Sequence, residues 1–345
     1  MDSERRPRLT PAIADVRRAV REALVSTGST STGGSTSTGG LVLVALSGGP
    51  DSLALAAATA FEAPRAGIRA GAIVVDHGLQ EASAEVAAAA AAQAAALGLD
   101  PVIVRRVEVG TDGGPEAAAR AARYAAIDSA ADETGATVIL LGHTLDDQAE
   151  TVLLGLARGS GATSLHGMPG RSGRYARPLL EIRRHTTVQF CADSGLEPWD
   201  DPQNDDPAFA RVRVRATVLP LLERELGPGI AEALARTAAQ LREDSDALDH
   251  FAEEIAEELA DIAEAGISLP VRALAHNPPA LRQRLIRLAV ESEFHVALSR
   301  VQTLEVARLI TDWHGQKPLD LPGVRVERRG ALLIFSANER AKRGI

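Results

Sequence analysis

Hydrophobic residues in the first half of the chain form short continuous runs, and each run is followed by a segment typical of a helix. Leu41–Leu46 is apolar throughout, and the Ala/Leu-rich segment Leu53–Ala60 comes soon after it. A strand that is apolar on both faces is typical of a parallel sheet buried on both sides. The pattern repeats in the strands Gly71–Val75, Pro101–Val109 and Thr137–Leu141 and in the helices Glu81–Leu97, Pro115–Thr134 and Asp146–Arg158. This alternation predicts an α/β fold with a doubly wound parallel sheet.

The pattern changes on both sides of this region. Before it, apolar spacings of three and four predict a helix over Pro11–Ser26, and Thr27–Gly40 contains only Gly, Ser and Thr, as flexible tethers do. After it, Ile230–Thr311 reads as helical, with an apolar stripe of Leu248, Phe251, Ile255, Leu259 and Ile262. The end of the chain reads as short strands, Leu319–Leu321, Val324–Arg328 and Ala331–Phe335. The predicted domains are 1–40 (helix and tether), 41–220 (α/β domain) and 221–345 (mainly α-helical, with a short terminal β segment).

Composition narrows the class of protein. The net charge of −9 argues against a general nucleic-acid binder but leaves room for a local basic face. The single cysteine, Cys191, cannot form an internal disulfide or a thiolate metal cage. No apolar run approaches the roughly 20 residues that cross a bilayer, and the first residues lack a signal-peptide core. We therefore expect a cytoplasmic protein.

The loop Ser47–Ser52, with the sequence SGGPDS, carries the first candidate chemistry. Paired glycines permit a tight turn, and the N-terminus of the following helix attracts anions, so strand, loop and helix together predict a phosphate site. The lysine of a Walker loop is missing, and an acid, Asp51, stands in the loop instead. Asp51 beside phosphates is explained by a bridging Mg²⁺. The simpler interpretation is that Asp51 only caps the helix.

Two further loops follow strands that should end at the same edge of the sheet. In Asp76–Leu79, His77 could hydrogen-bond a base or a ribose, or the loop could be a turn in which Asp76 caps the next helix. The other loop places His143 and Asp147 four residues apart, on one side of an early helical turn. Asp147 together with Asp51 could hold a metal ion through oxygen ligands. The acids around Asp147 are also explained by the preference for negative charge at a helix N-terminus.

Arginines cluster in three places. Arg120 and Arg123 lie three apart beside Tyr124, either as solvated side chains or as a clamp on phosphate. The segment Gly159–Arg184 is rich in Gly and Arg, and is either a mobile loop or a phosphate-binding surface. Three more arginines alternate in a helix start, where cations oppose the helix dipole and indicate an anion site; these are Arg211, Arg213 and Arg215.

These motifs, in their order, resemble a known family. SGGPDS after a buried strand resembles the loop of the N-type ATP pyrophosphatases, which cleave ATP between its α- and β-phosphates. The series SGGPDS, DHGL, ARYAAI, GHTLDDQAET, RGSG, RPLLEIRR and NDDPAFARVRVR is similar to that of the tRNA(Ile)-lysidine synthetases, over about residues 41–220. The chain resembles the short form of the family, without the additional C-terminal domain of longer members.

The resemblance implies a two-step reaction. ATP adenylates the C2 position of the wobble cytidine in a CAU anticodon of tRNA(Ile), and L-lysine then displaces AMP, with Mg²⁺ as the metal. The implied catalytic residues are Asp51, Arg123, His143, Asp147 and Arg215, and Asp51 and Asp147 are the implied metal ligands. The implied nucleotide-binding residues are Ser47, Gly48, Gly49, Pro50, Asp51, Ser52 and His77. The implied tRNA-binding residues are Arg171, Arg174, Arg177, Arg211, Arg213 and Arg215.

Three other functions compete with this interpretation. A tRNA thiolase of the same ATP family would need cysteines, and Cys191 lies outside any cysteine motif. An amide-forming relative would not need the arginines between Arg171 and Arg215. A non-catalytic adenine-nucleotide sensor would have no use for acids and arginines that converge on the phosphates. The sequence leaves the oligomeric state open, and a homodimer is compatible with it.

Overall fold

The fold is seen in a computed structural model that describes residues 9–28, 40–78, 82–110, 114–159, 161–259, 261–263 and 266–338. Most of the predicted tether, and Leu79 of the second loop, lie outside these residues. The chain divides into two compact units, Met1–Ala239 and Gln240–Ile345. This boundary lies inside a helix, whereas the sequence places a domain boundary near residue 220, and that functional division stays a prediction.

The first unit alternates strands and helices in the predicted order. Its strands are β1 (Leu41–Ala45), β2 (Arg69–Asp76), β3 (Val102–Arg106), β4 (Ala136–Leu141), β5 (Arg171–Ser172) and β6 (Tyr175–Ala176). Its helices are α1 (Pro11–Gly28), α2 (Pro50–Glu62), α3 (Ser83–Ala96), α4 (Pro115–Thr134), α5 (Leu145–Arg158), α6 (Arg184–Asp193), α7 (Ala210–Arg213) and α8 (Leu219–Leu226). Helix α9 (Ile230–Leu259) begins in this unit and continues into the second.

The described strands of the first unit form one sheet in the order β3-β2-β1-β4-β6-β5. All pairs are parallel except β5 with β6, so the prediction of a parallel sheet is confirmed with one short antiparallel edge. Strand order reverses between β1 and β4, and ligands of such sheets bind beyond the carboxyl ends of the strands at that point. The loops Ser47–Ser52 and Gly142–Asp147 follow these two strands.

The continuous apolar run of β1 is explained by burial on both faces of the sheet. Val42 and Val44 pack with residues of α1, α2, α3 and α6, whereas Leu41 and Leu43 pack against Ile127 of α4. Side chains alternate along a strand, so each face receives every second residue. The sheet is therefore the middle layer of the unit, as the sequence predicts.

The second unit contains more β-structure than the sequence predicts. Its helices are α10 (Val271–His276), α11 (Pro279–Phe294) and α12 (Arg300–Thr311), and its strands are β7 (Asp261–Ala263), β8 (Gly266–Pro270), β9 (Leu319–Leu321), β10 (Val324–Arg329) and β11 (Leu332–Ala337). The described strands form an antiparallel sheet in the order β7-β8-β11-β10-β9. The terminal strands are confirmed.

The prediction that Ile230–Thr311 is helical is wrong at β7 and β8, although α9, α11 and α12 lie where helices are predicted. Strands β7 and β8 interrupt it, and Ile262, predicted on the helical stripe, lies on β7. Phe251 of the same stripe is half exposed, at 50%. Strand β8 forms because it pairs with the distant β11, and periodicity within a short segment does not reveal such a partner.

Removal of the central apolar contact should destabilise the first unit. Leu43→Ala opens a cavity at a fully buried position between β1 and α4, and we expect a loss of about 2–5 kcal/mol in the free energy of unfolding. Urea denaturation measures this loss. The matched control is Leu156→Ala on α5, where Leu156 is 60% exposed and the change should stay within about 0.5 kcal/mol. Equal effects of the two substitutions would contradict the assigned core.

Candidate functional site

The loop between β1 and α2 has the geometry of an anion site. Gly48 has φ +87°, a conformation that favours glycine, and Gly49 is the N-cap of α2, with Pro50 in its first turn. The Ser52 hydroxyl accepts a hydrogen bond from the Ser47 backbone N–H at 3.1 Å and donates one to the Gly49 carbonyl at 3.1 Å. These bonds hold a closed turn at the start of a 13-residue helix, whose first N–H groups have no partner within the helix.

The loop after β4 contacts this turn directly. A Cβ atom on Gly142 would lie 3.0 Å from the backbone N and Cα of Ser52, so glycine at this position permits the close approach. Helix α5 begins just beyond, with Thr144 as its N-cap. The sequence-predicted meeting of the first and last loops at one edge of the sheet is therefore observed.

One arginine joins the acids of the two loops. Arg184, the first residue of α6, donates from Nε to Asp51 Oδ2 at 3.1 Å and from Nη2 to Asp147 Oδ1 at 2.8 Å. Its Nη1 lies 3.4 Å from Glu150 Oε1. The other oxygen of Asp51 accepts from the Thr187 hydroxyl. Asp51 and Asp147, the predicted metal pair, are thus brought together by a residue that was not predicted.

Glu150 completes the cluster and is fully buried. Arg215 donates to both of its oxygens, at 2.7 and 3.1 Å, and the Arg211 Nε lies 3.6 Å away. Arg215 also lies 3.6 Å from Asp147. Because a buried carboxylate is costly without a positive partner, these arginines are required by Glu150 whatever else they bind.

The two predicted metal ligands differ in acidity. Burial raises the pKa of Asp51 above its ordinary range, and Arg184 and Thr187 oppose this only in part. Burial alone would also raise the pKa of Asp147, but Arg184 and the Thr144 N–H outweigh it and leave that pKa lowered. The Thr144 backbone N–H and hydroxyl both donate to Asp147 Oδ2, at 2.8 and 2.9 Å, so Asp147 also forms the capping box of α5. Asp147 therefore stabilises the N-terminus of α5, as the simpler interpretation predicts, and it also belongs to the acidic cluster.

The oxygen donors of Asp51 and Asp147 fit the chemistry of Mg²⁺. This ion prefers hard oxygen ligands and commonly combines one or two carboxylates with phosphates of its substrate. Among the described residues, no group of three or more His, Cys, Asp or Glu side chains could hold a metal ion. A metal at the Asp51–Asp147 pair would therefore take its remaining oxygens from water or from the phosphates of a bound ligand.

His143 lies near Asp147 of the cluster, Arg123 lies near His143, and His77 lies near Arg123. Burial lowers the pKa of His143 to about 4, with Asp147 acting in the opposite direction and Arg177 and Arg123 adding to the decrease. Burial also lowers the pKa of His77, and Arg123 adds to this. Both imidazoles are therefore neutral at pH 7. Arg123 forms no hydrogen bond or ion pair with the described residues, and burial lowers its pKa too.

The loop after β2 contains the turn that the simpler interpretation of Asp76 predicts. Asp76 Oδ1 accepts from the Gly78 N–H at 2.9 Å, which closes the turn after β2. The Nδ1 atom of His77 is buried without a hydrogen-bond partner among the described residues. Asp76 therefore shapes the turn, and His77 retains an unsatisfied polar atom.

The six arginines predicted to bind tRNA differ in their exposure and in their contacts. Arg211 and Arg215 point at Glu150, whereas Arg213 is exposed and donates to the carbonyls of Pro207 and Ala208 at 2.6 and 2.8 Å. Arg174 pairs with Asp132 at 2.7 Å, and Arg177 donates to the Pro169 carbonyl at 3.0 Å. Arg171 is exposed on β5, and its side chain forms no ion pair or hydrogen bond with the described residues, whereas its backbone pairs with β6.

Arg184, Thr187 and Glu150 are the functional candidates that sequence reasoning missed. Arg184 lay at the end of an Arg-rich segment with five arginines against one acid, so nothing distinguished it from its neighbours. Glu150 could not be distinguished in the sequence from the other acids near the start of the same helix. The one signal present was the position of Arg184 at the end of the motif RPLLEIRR.

Two family models match the chain. One is described as a PP-loop domain and matches residues 22–222, and the other is described as a TilS substrate binding domain and matches residues 269–332. The first match confirms the predicted fold class and implies the use of ATP. None of the helices in the described part of the chain has the length and apolar character of a membrane span.

Curated relatives match along nearly their whole length. The tRNA(Ile)-lysidine synthase of Leifsonia xyli subsp. xyli is 70% identical over 296 residues, which cover 86% of this chain and 89% of that protein. The protein of the same name from Thermobifida fusca is 53% identical over 331 residues, which cover 95% of this chain and 98% of that protein.

A solved structure agrees in fold. It is the U34-tRNA thiolase NcsA from Methanococcus maripaludis with its 4Fe-4S cluster, which is 19% identical, has a TM-score of 0.54, and covers 67% of this chain and 80% of its own. At this identity the likeness supports the fold alone.

The buried His143 should make the protein less stable in acid. The pKa of His143 is lowered from 6.5 to about 4, so the unfolded chain takes up the proton first as the pH falls. The free energy of unfolding should therefore decrease by about 2 to 3 kcal/mol through this group between pH 6.5 and pH 4. Urea denaturation at neutral and acid pH should show a smaller loss for His143→Gln than for the unsubstituted protein. Equal losses would place the acid sensitivity elsewhere.

Proposed function

Because this chain belongs to the tRNA(Ile)-lysidine synthase family, we propose that it ligates L-lysine to the C2 position of the wobble cytidine of tRNA(Ile) with a CAU anticodon, using ATP. The base is first adenylated with release of diphosphate, and lysine then displaces AMP. The protein acts in the cytoplasm, as a monomer or as a homodimer. The observation that supports this most directly is the convergence of the glycine turn, Asp51 and Asp147 at the reversal point of the sheet.

The phosphates of ATP are held by the turn after β1. Backbone N–H groups at the start of α2 donate to phosphate oxygens, and the positive end of the helix dipole adds to this attraction. Asp51 and Asp147 would hold Mg²⁺, which would supply positive charge to the departing diphosphate. His77, with an unsatisfied nitrogen in the neighbouring turn, contacts the nucleoside.

Arg123 stabilises the charge that develops during adenylation. Attack of the cytidine C2 oxygen on the α-phosphorus places negative charge on the phosphate oxygens, and a pre-placed cation lowers that barrier. Arg123 is suited to this role because its guanidinium is partly buried and has no acid partner among the described residues. His143 stays neutral beside it and can donate or accept a hydrogen bond without adding charge.

Asp147 accepts a proton from lysine in the second step. The lysine amine is protonated at neutral pH and must lose this proton before it can attack C2. A carboxylate within reach can accept the proton. The lowered pKa of Asp147 keeps it ionised at neutral pH, as a proton acceptor must be. Arg215 spans Glu150 and Asp147, so it fixes the position of this base from the side where we place the RNA.

A thiolase function is disfavoured by the cysteine content. Iron–sulfur clusters are held by several cysteine thiolates, and this chain has one cysteine. Cys191 is buried, its thiol lies 3.4 Å from the Pro50 carbonyl, and burial raises its pKa to about 12. A thiol in this state is a poor nucleophile at neutral pH.

The deciding assay follows radiolabelled lysine into tRNA. We expect incorporation that requires ATP and a CAU anticodon, with release of diphosphate and AMP, and none with transcripts of other anticodons. Asp51→Asn keeps the size of the side chain and removes its charge, so diphosphate release should fall at least about a hundredfold. Circular dichroism checks that the variant folds. Incorporation of lysine into transcripts with every anticodon would contradict the proposed specificity for the CAU anticodon. Undiminished diphosphate release by the Asp51→Asn variant would contradict the role of Asp51.

Exposed Arg171 should contribute to tRNA binding through phosphate. Arg171→Ala should weaken binding and reduce the slope of log affinity against log salt by about 1, because one fewer counterion is released. The control is Arg18→Ala on α1, whose exposed side chain pairs with Asp15 at 3.0 Å and lies outside the predicted surface. Filter binding across a salt series measures both. An unchanged slope for Arg171→Ala would remove this residue from the interface.

A further inference from the structure

Arg184 contacts three carboxylates with three different nitrogens. Nε, Nη2 and Nη1 lie 3.1, 2.8 and 3.4 Å from Asp51, Asp147 and Glu150 respectively. The backbone N–H of Arg184 donates to Asp146 at 2.7 Å, which fixes the start of α6 against the first turn of α5. The guanidinium is therefore placed between the phosphate turn and helix α5 by both its side chain and its backbone.

The oxygens that face Arg184 are those left free by the hydroxyl donors. In Asp51, Oδ1 accepts from Thr187 and Oδ2 accepts from Arg184. In Asp147, Oδ2 accepts from Thr144 and Oδ1 accepts from Arg184. Two neighbouring side chains thus turn one oxygen of each carboxylate toward a single shared position. A guanidinium lies at that position.

A guanidinium and a metal ion compete for the same two oxygens, because each brings positive charge to them. The ion fits this pair by its donor chemistry, and it completes its coordination with oxygens from water or phosphate. Phosphate is also a strong partner for arginine, which binds its oxygens through the planar guanidinium. Arrival of a metal–triphosphate complex therefore brings a cation for the carboxylates and an anion for the arginine in one step.

We propose that Arg184 is a positioning residue that holds the cation position between Asp51 and Asp147, and that it yields this position to Mg²⁺ when Mg·ATP binds. This inference rests on the proposed ATP-dependent function. Arg184 holds the two like charges near each other through direct contacts with both, and it competes with any ion that arrives without a nucleotide. The exchange couples metal binding to nucleotide binding.

The test measures Mn²⁺ binding to the nucleotide-free protein by electron paramagnetic resonance. Arg184→Gln removes the competing charge, so Mn²⁺ should bind at least about tenfold more tightly, since a unit charge about 4 Å from a divalent ion opposes it strongly even when screened. The matched control is Arg183→Gln: Arg183 pairs with Asp146 and Glu232 and contacts neither Asp51 nor Asp147. Its affinity for Mn²⁺ should stay within about twofold of the unsubstituted protein.

Two more variants keep the test decisive. Adding Asp51→Asn to Arg184→Gln should abolish the gained affinity, which places the ion at Asp51. Should Arg184→Gln fail to fold by circular dichroism, Arg184→Met also removes the charge while keeping a long side chain, and it should bind Mn²⁺ more tightly than the unsubstituted protein.

Unchanged or weaker Mn²⁺ binding in the folded Arg184 variants would overturn the proposal. If Arg184 only stabilised the structure of the site, its removal would disorder the carboxylates and could not increase the affinity for the ion. A gained affinity that survives Asp51→Asn would also overturn the proposal. The measurement uses no tRNA and no lysine. A failure of the ligase assay therefore leaves its result intact, and the two failures are distinguishable.

Discussion

Charge compensation beyond the carboxyl ends of β1 and β4 is the constraint on which this site depends. Asp51, Asp147 and fully buried Glu150 approach one another there, and like charges at such spacing cannot all stay ionised without cations between them. Arg184 and Arg215 supply those cations from segments far along the chain. The arginines therefore fix α6 and the helical segment around residue 215 against these acids, and they organise the carboxylates that we propose act on ATP. Stability and chemistry use the same contacts.

The helical segment that carries Arg211 and Arg215 shows how backbone geometry directs these charges. Pro220 lacks an N–H and would clash with the carbonyl of residue 216 in a regular helix, and a wider π-helical turn, Val214–Val218, precedes it. Arg211 and Arg215, four residues apart, face Glu150, whereas Arg213 turns to solvent. The alternation that the sequence presents as one basic stretch is thus divided between an inner pair and an outer residue.

Features that depend on neighbouring residues could be predicted from the sequence, whereas features that depend on distant partners could not. Helix α4 has the predicted bounds, Pro115–Thr134, because Pro starts it and Gly135 ends it in the left-handed conformation. The meeting of the two loops followed from the rule for parallel strands. Strand β8 could not be predicted, because its partner β11 lies over 60 residues later. Arg184 could not be singled out for the same reason, since its partners are 133 and 37 residues away.

The different contacts of the arginines also affect which of them are expected to bind phosphates of the RNA. Arg174 and Arg177 are already held by Asp132 and by the Pro169 carbonyl, so phosphate would have to compete with these partners. Exposed Arg171 faces no such competition from the described residues. Arg123 also has no acid partner among the described residues, but it is partly buried and lies near the ring of Tyr124. In the reaction that we propose, the wobble base reaches Arg123 while its backbone stays outside, which is the geometry expected when a single nucleotide is turned out of its stack toward ATP.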